Sequence, residues 1–170
     1  KSRLVAELGR ALDADSDLVT WRQGRSSPWD EGRSSPGGGV THWALAEIVK
    51  AEAGILETDS ADRVARRLSR VVAHAMADDP AAIDWVSGHL RGLVGEGDEL
   101  AGAPEGGAVA TANRDGRRDE AFTAWRRFLY GLANRRPLVL VLEDLHWADD
   151  ALLDFLQELL DPTGHPTLDQ

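Results

Sequence analysis

Cysteine is absent from the 170 residues, which excludes a disulfide framework and thiolate metal sites and fits a reducing compartment. No apolar run approaches the roughly 20 residues that span a bilayer, and no basic-then-apolar leader opens the chain. The expected location is therefore the cytoplasm, away from membranes. Basic residues are scarce as well: 19 Lys and Arg stand against 29 Asp and Glu, a formal net charge of −10. That balance argues against direct contact with nucleic acid, which needs clustered Lys and Arg for its phosphates. From Val141 to Gln170 there is no Lys or Arg at all, while Glu143, Asp144, Asp149, Asp150, Asp154, Glu158, Asp161 and Asp169 accumulate. Such an end suits either a bound cation or a solvated surface.

What is present is periodicity. Leu4, Val5, Leu8, Ala11 and Leu12 form one stripe at helical spacing, so Ser2 to Asp13 is expected to be a helix. After a polar break, Leu18-Val-Thr-Trp21 has the β-branched and aromatic character of a short strand. Gly24 to Gly39 is dominated by Gly, Ser, Pro and Arg, and Gly24-Arg-Ser-Ser-Pro28 recurs as Gly32-Arg-Ser-Ser-Pro36, which predicts a surface loop lengthened by a small duplication. Thr41 is the expected cap of a helix through Trp43, Leu45, Ile48 and Val49 that ends near Gly54. Asp59 or Ser60 caps the next, with Val64, Leu68, Val71, Val72 and Ala75 on its apolar face. Pro80 suits the first turn of a third, carrying Ile83, Val86, Leu90 and Leu93. A second loop is expected over Gly95 to Gly116, then a fourth helix with Phe122, Trp125, Phe128, Leu129 and Leu132 on one side.

Leu138-Val-Leu-Val-Leu142 is an uninterrupted apolar run, the pattern of a strand buried on both faces in a parallel sheet covered by helices. Asp149 then caps a helix in which Leu152, Leu153, Phe155, Leu156, Leu159 and Leu160 are expected to be largely buried, and Pro162 stops it ahead of a frayed tail, residues 162–170. Strands alternating with helices indicate an α/β fold. In an open parallel sheet, ligands bind at the carboxyl ends of the strands, where Glu143 and Asp144 sit. Two adjacent acids at the end of a buried strand are costly unless something neutralises or hydrates them. Magnesium held by nucleotide phosphates does so, being a hard cation that prefers carboxylate and water oxygens; the plainer alternative is that both acids mark the strand's exit into solvent.

Lys1-Ser2, opening an amphipathic helix, matches the last two positions of the phosphate loop G-x-x-x-x-G-K-[ST]. In that loop the Lys reaches the β- and γ-phosphates and the hydroxyl ligates magnesium, while N–H groups at the helix start hold the anion. Lys1-Ser-Arg-Leu-Val-Ala-Glu-Leu8, the segment Gly24–Gly32 rejoined to Val40–Lys50, and above all Arg136-Pro-Leu-Val-Leu-Val-Leu-Glu-Asp-Leu-His-Trp-Ala-Asp-Asp150 resemble the AAA-like modules of the STAND branch of bacterial signal-transduction ATPases. These accompany LuxR-type regulators and adenylate/guanylate cyclase domains. The resemblance covers residues 1–161 and implies a P-loop parallel sheet with flanking helices and a helix-rich insert between the second strand and the Walker B strand. It implies that the first strand and later strands of that sheet lie outside this chain, so that the domain is incomplete and marginally stable alone. The glycines before Lys1 are absent, Arg33–Gly39 is extra, and Glu143 stands where many P-loop proteins have Asp.

Carried over position by position, the resemblance implies that Lys1 and Ser2 bind the cofactor ATP and that Ser2 and Glu143 ligate Mg2+. Glu143 and Asp144 are the catalytic acids, Asp144 polarising the attacking water. It implies an ATPase switch coupled to an attached output domain or protein partner and able to assemble on nucleotide binding. Two alternatives stay open: a non-catalytic interaction fragment that has lost nucleotide binding, and part of a DNA-binding regulator. His146 is read as a loop residue and Trp147 as an anchor for the following helix. Trp21, Trp43 and Trp125 are assigned to the core, and His42, His74, His89 and His165 lack metal-ligand spacing. Arg63, Arg66, Arg67 and Arg70 are expected on a solvated helix face.

Overall fold

Two strands, Thr20–Arg25 (β1) and Leu138–Glu143 (β2), pair in parallel from Thr20 against Leu138 to Arg25 against Glu143. They belong to a computed structural model that describes residues 2–13, 19–26, 41–94, 108–148 and 150–160, the side chains of Ser2, Asp13, Leu93 and residues 41–43, 108–115, 117 and 118 excepted. Among the described residues four helices separate the strands in sequence: α2 (Thr41–Ala53), α3 (Ala61–Ala75), α4 (Ile83–Val94) and α5 (Ala108–Arg135). Helix α1 (Ser2–Asp13) precedes β1, and α6 (Asp150–Leu160) follows β2.

Side chains alternate across a strand, and paired residues of neighbouring strands share a face. The register therefore sorts the sheet into two sides. Leu138, Leu140 and Leu142 pack on the main core, so their partners Thr20, Arg22 and Gly24 face it too. Val139, Val141 and Glu143 face the other way, together with Trp21, Gln23 and Arg25. Helix α1 covers this second side: a Cβ added to Gly9 would lie 3.5 Å from the Trp21 ring. The core on the first side is built by α2 to α6, with Leu45, Ile48, Leu68, Val86, Trp125 and Phe155 almost fully buried.

Gly24 makes this packing possible. A Cβ there would lie 2.2 Å from the Ala44 carbonyl oxygen, so α2 reaches the sheet only over a residue without a side chain. Gly54, at φ +63°, turns the chain out of α2 in the left-handed conformation that glycine adopts freely. Ser60 is the N-cap of α3 and its carbonyl accepts from the Arg63 and Val64 N–H groups. Asp59 has a different task, accepting from the Leu56 N–H at 2.9 Å and pairing with Arg63 and Arg67. Pro80 opens a single 3₁₀ turn, Pro80–Ala82, that leads into α4.

Several expectations are corrected. The first strand begins at Thr20 and runs to Arg25, two residues later and four residues further than Leu18–Trp21, because its second half is held by the ladder to β2 and by α2 and not by β-branched side chains. Gly24, Arg25 and the buried Ser26 thus leave the predicted loop. The second loop ends early: α5 starts at Ala108 and runs straight through Gly116, a cost of about 1 kcal/mol relative to alanine that its Ala-rich and charged neighbours absorb. Strand β2 is half-buried along its length, since among the described residues only β1 flanks it. In α6, Leu152 and Phe155 are buried, but Leu153 is on the surface and Leu160 is 79% exposed. Thr41 is the first residue of α2 and not a preceding cap. The loop repeat at 27–36, the extra segment 33–39, Trp43's side chain, Asp149 and the tail from 161 lie outside what is described. No described helix is long and apolar enough to cross a membrane.

Candidate functional site

The carboxyl ends of β1 and β2 lie side by side and deliver their last polar residues to one point. Arg25 is the register partner of Glu143, so both side chains leave the sheet on the α1 side. The Glu143 Oε2 atom accepts a hydrogen bond from the Gln23 Nε2 at 2.7 Å and another from an Arg25 guanidinium nitrogen at 2.9 Å. The Arg25 Nε lies 3.5 Å from the Asp144 Oδ2. One guanidinium therefore serves both acids. The backbone around it is also tied: the Arg25 N–H donates to Glu47 of α2 at 2.9 Å, and the Ser26 N–H donates to the Glu143 carbonyl at 3.0 Å.

The electrostatics follow from these contacts. Hydrogen bonds from Arg25, then Gln23, hold the Glu143 carboxyl below the usual carboxylate range. The same pairing with Glu143, reinforced by the charge of Asp144, pushes the Arg25 guanidinium up. Glu143 is thus anionic at any neutral pH. It is also the more sheltered acid, with its side chain 17% exposed against 47% for Asp144.

Asp144 is the one non-glycine residue with positive φ among the described residues, at φ 58° and ψ 36°. An L-residue pays for the left-handed region, and Asp is among the few that visit it. This turn ends the strand abruptly and starts the 3₁₀ segment Leu145–Trp147, in which the Trp147 N–H donates to the Asp144 carbonyl at 2.9 Å. The consequence is that two consecutive residues present their carboxylates to the same cation instead of to opposite sides of a strand. Strain held at such a point motivates a functional reading.

Of the four predicted site residues, the structure brings Glu143 and Asp144 together. Ser2 is the first residue of α1, on the side of the sheet that carries Arg25 and Glu143, and its side chain is outside the described ones. Lys1 also lies outside the described residues. His146 is exposed and sits in the 3₁₀ turn Leu145–Trp147. Trp147 is 46% exposed and rests obliquely against the His146 ring, so it is not a buried anchor. Trp125 is fully buried and Trp21 half-buried, as expected of core residues. Arg63, Arg66 and Arg70 are exposed and Arg67 half-buried. Among the described residues no three His, Asp or Glu side chains gather as metal ligands.

Gln23, Arg25 and Glu47 were not singled out from sequence. The signal for Arg25 was its position: a charged residue at the carboxyl end of a short strand, in a sheet whose other strand ends in two acids. The separation of 118 residues between Arg25 and Glu143 hides the pairing until the register is known.

The family model described as AAA ATPase domain matches residues 1–168. Comparison with curated proteins and with solved structures gave no match.

Proposed function

Because the chain belongs to the AAA ATPase domain family, we propose that it is an ATP-binding switch module of the STAND type, slow in hydrolysis, whose nucleotide state is read by an attached output domain or protein partner. The family brings with it a P-loop α/β fold, a nucleotide-binding ATPase module and the ligands ATP and Mg2+. The finer assignments rest on the carboxyl end of the sheet. In this reading Lys1 contacts the terminal phosphates, Ser2 and Glu143 hold the magnesium, and Asp144 orients the attacking water. Magnesium, when bound, neutralises phosphate charge and draws electron density from the bond that breaks.

The residues present fit that cation. Glu143 and Asp144 already converge on one positive group, the Arg25 guanidinium, at 2.9 and 3.5 Å. That convergence is the observation that carries the proposal, since two adjacent acids on an unbroken strand would point apart. Asp144, on its left-handed turn and half-exposed, is open to a water molecule. Helix α1, which Ser2 opens, covers the side of the sheet from which Glu143 and Arg25 project. A phosphate held at its N-terminus would meet the partial positive charge of the helix end. In this reading the module works in the cytoplasm, makes no direct nucleic-acid contact through this segment and is able to assemble on nucleotide binding.

The reading is tested on the full-length protein by titrating MgATP. Lys1→Ala is expected to weaken binding by about tenfold or more, the loss of a charge-assisted contact of roughly 1.5–3 kcal/mol. Unchanged affinity in that variant refutes the assignment of Lys1 to the phosphates, and absence of MgATP binding by the wild type refutes nucleotide binding and leaves a non-catalytic interaction module.

A further inference from the structure

The Glu143–Asp144 pair does not wait for its cation with bare charge. Its counter-ion comes from the chain itself, on the neighbouring strand, and three features make that counter-ion displaceable. The Arg25 side chain is 62% exposed, so it can leave for solvent without opening the core. Its backbone is fixed independently by the β1–β2 ladder and by Glu47, so the strand does not depend on the side-chain pairing. And the Glu143 Oε2 atom already accepts from both Gln23 and Arg25, so a cation that bonds this oxygen at about 2.0–2.1 Å has to take the place of one of them.

We infer that Arg25 is a built-in counter-ion that occupies the acidic pair and must be displaced by the divalent cation, so that Arg25 sets the cation affinity of the site. This deepens the proposed role of Glu143 and rests on it. The two occupants exclude each other for two reasons. The guanidinium and the cation compete for the same carboxylate oxygens, and a dication a few ångströms from a guanidinium is repelled by it. At about 5 Å and near-aqueous screening that repulsion corresponds to roughly a tenfold weakening of binding. The exchange keeps the site neutralised when empty, avoiding the penalty of an uncompensated acidic pair, and makes cation entry and Arg25 release one event.

The test uses Mn2+ alone as the probe, with the free ion followed by electron paramagnetic resonance, on the full-length protein and three variants. Arg25→Gln is expected to bind Mn2+ about tenfold more tightly than wild type, and Arg25→Lys, which keeps the charge, to stay within about threefold of it on the same electrostatic argument. Glu143→Gln is expected to lose binding. A merely structural Arg25 would give the opposite sign, because loosening the strand ends weakens the site. If Glu143→Gln abolishes binding while Arg25→Gln leaves it unchanged or weaker, the counter-ion inference is overturned and the Glu143 assignment stands. If Glu143→Gln binds as wild type does, the metal assignment itself fails and the inference with it. Circular dichroism melts of each variant identify any that are unfolded; should Arg25→Gln be so, Arg25→Met takes its place with the same expected tightening.

Discussion

Alanine at position 24 would put a methyl group 2.2 Å from the Ala44 carbonyl oxygen, 2.9 Å from its carbon and 3.2 Å from the Ala44 Cα. All three are backbone atoms of α2, so no side chain can rotate away. Ordinary contact begins near 3.4 Å, and α2 must therefore withdraw from β1 by about 1 Å or more, on the scale of the overpacking that costs about 1–3 kcal/mol. Withdrawal drags Leu45, Ile48 and Val49, each at most 1% exposed, out of their places in the core, which puts the cost at the upper end of that range. For a domain of this size about 2–3 kcal/mol lowers the melting midpoint by roughly 4–12 °C. Urea denaturation with a shared slope is the assay. Gly88→Ala is the control: it is helical, and nothing lies within 4 Å of the added Cβ, so it is expected to gain about 0.5–1 kcal/mol. Coincident curves for wild type and Gly24→Ala, beside a stabilised Gly88→Ala, would refute the close approach of α2 to the sheet. Because Glu47 moves with α2, Gly24→Ala is also expected to disturb the Arg25 end of the site.

Gly131→Ala makes a matching clash at the crossing of α5 and α3, its Cβ 2.3 Å from the Ala75 carbonyl oxygen; it is expected to cost about 1–3 kcal/mol in urea denaturation while leaving nucleotide affinity of the folded protein intact. Asp59→Asn is expected to lower the melting midpoint at neutral pH, since the charged form accepts the Leu56 N–H and pairs with Arg63 and Arg67. The hydrogen bond from Leu56, more than the arginines, holds the Asp59 carboxyl below its ordinary value. A depressed folded value gives stability that is present above the unfolded value, about 4, and lost as pH falls through the folded one. The gap between wild type and Asp59→Asn in melts from pH 7 to pH 2 should therefore be widest at neutral pH and close in acid; a constant gap would contradict the assignment.

Where local signals were strong, the elements could be read in advance. Ser60 and Pro80 mark the starts of α3 and of the turn into α4 because caps and first-turn prolines act through the backbone of their own neighbourhood. The apolar run 138–142 announced β2 and its parallel pairing, but its burial depends on how many strands flank it, a tertiary property. Thr20–Arg25 was misjudged for a related reason. Trp-Arg-Gln-Gly-Arg has little intrinsic strand character, and it is extended because it completes a ladder and receives α2 on a glycine. The site divides the same way. Glu143 and Asp144 follow from a strand ending in acids, whereas Arg25, Gln23 and Glu47 join them only through register and helix packing.

Binding of a metal–nucleotide complex through Glu143 at the carboxyl ends of the strands is the central proposal. Isothermal titration of ATP into the full-length protein, with magnesium and with the metal chelated, for wild type and Glu143→Gln, tests it most directly. Wild type is expected to bind with micromolar affinity when magnesium is present and to lose about tenfold or more, roughly 1.4 kcal/mol, when it is removed. Glu143→Gln is expected to be weak under both conditions. Equal affinity in all four titrations would contradict the claim.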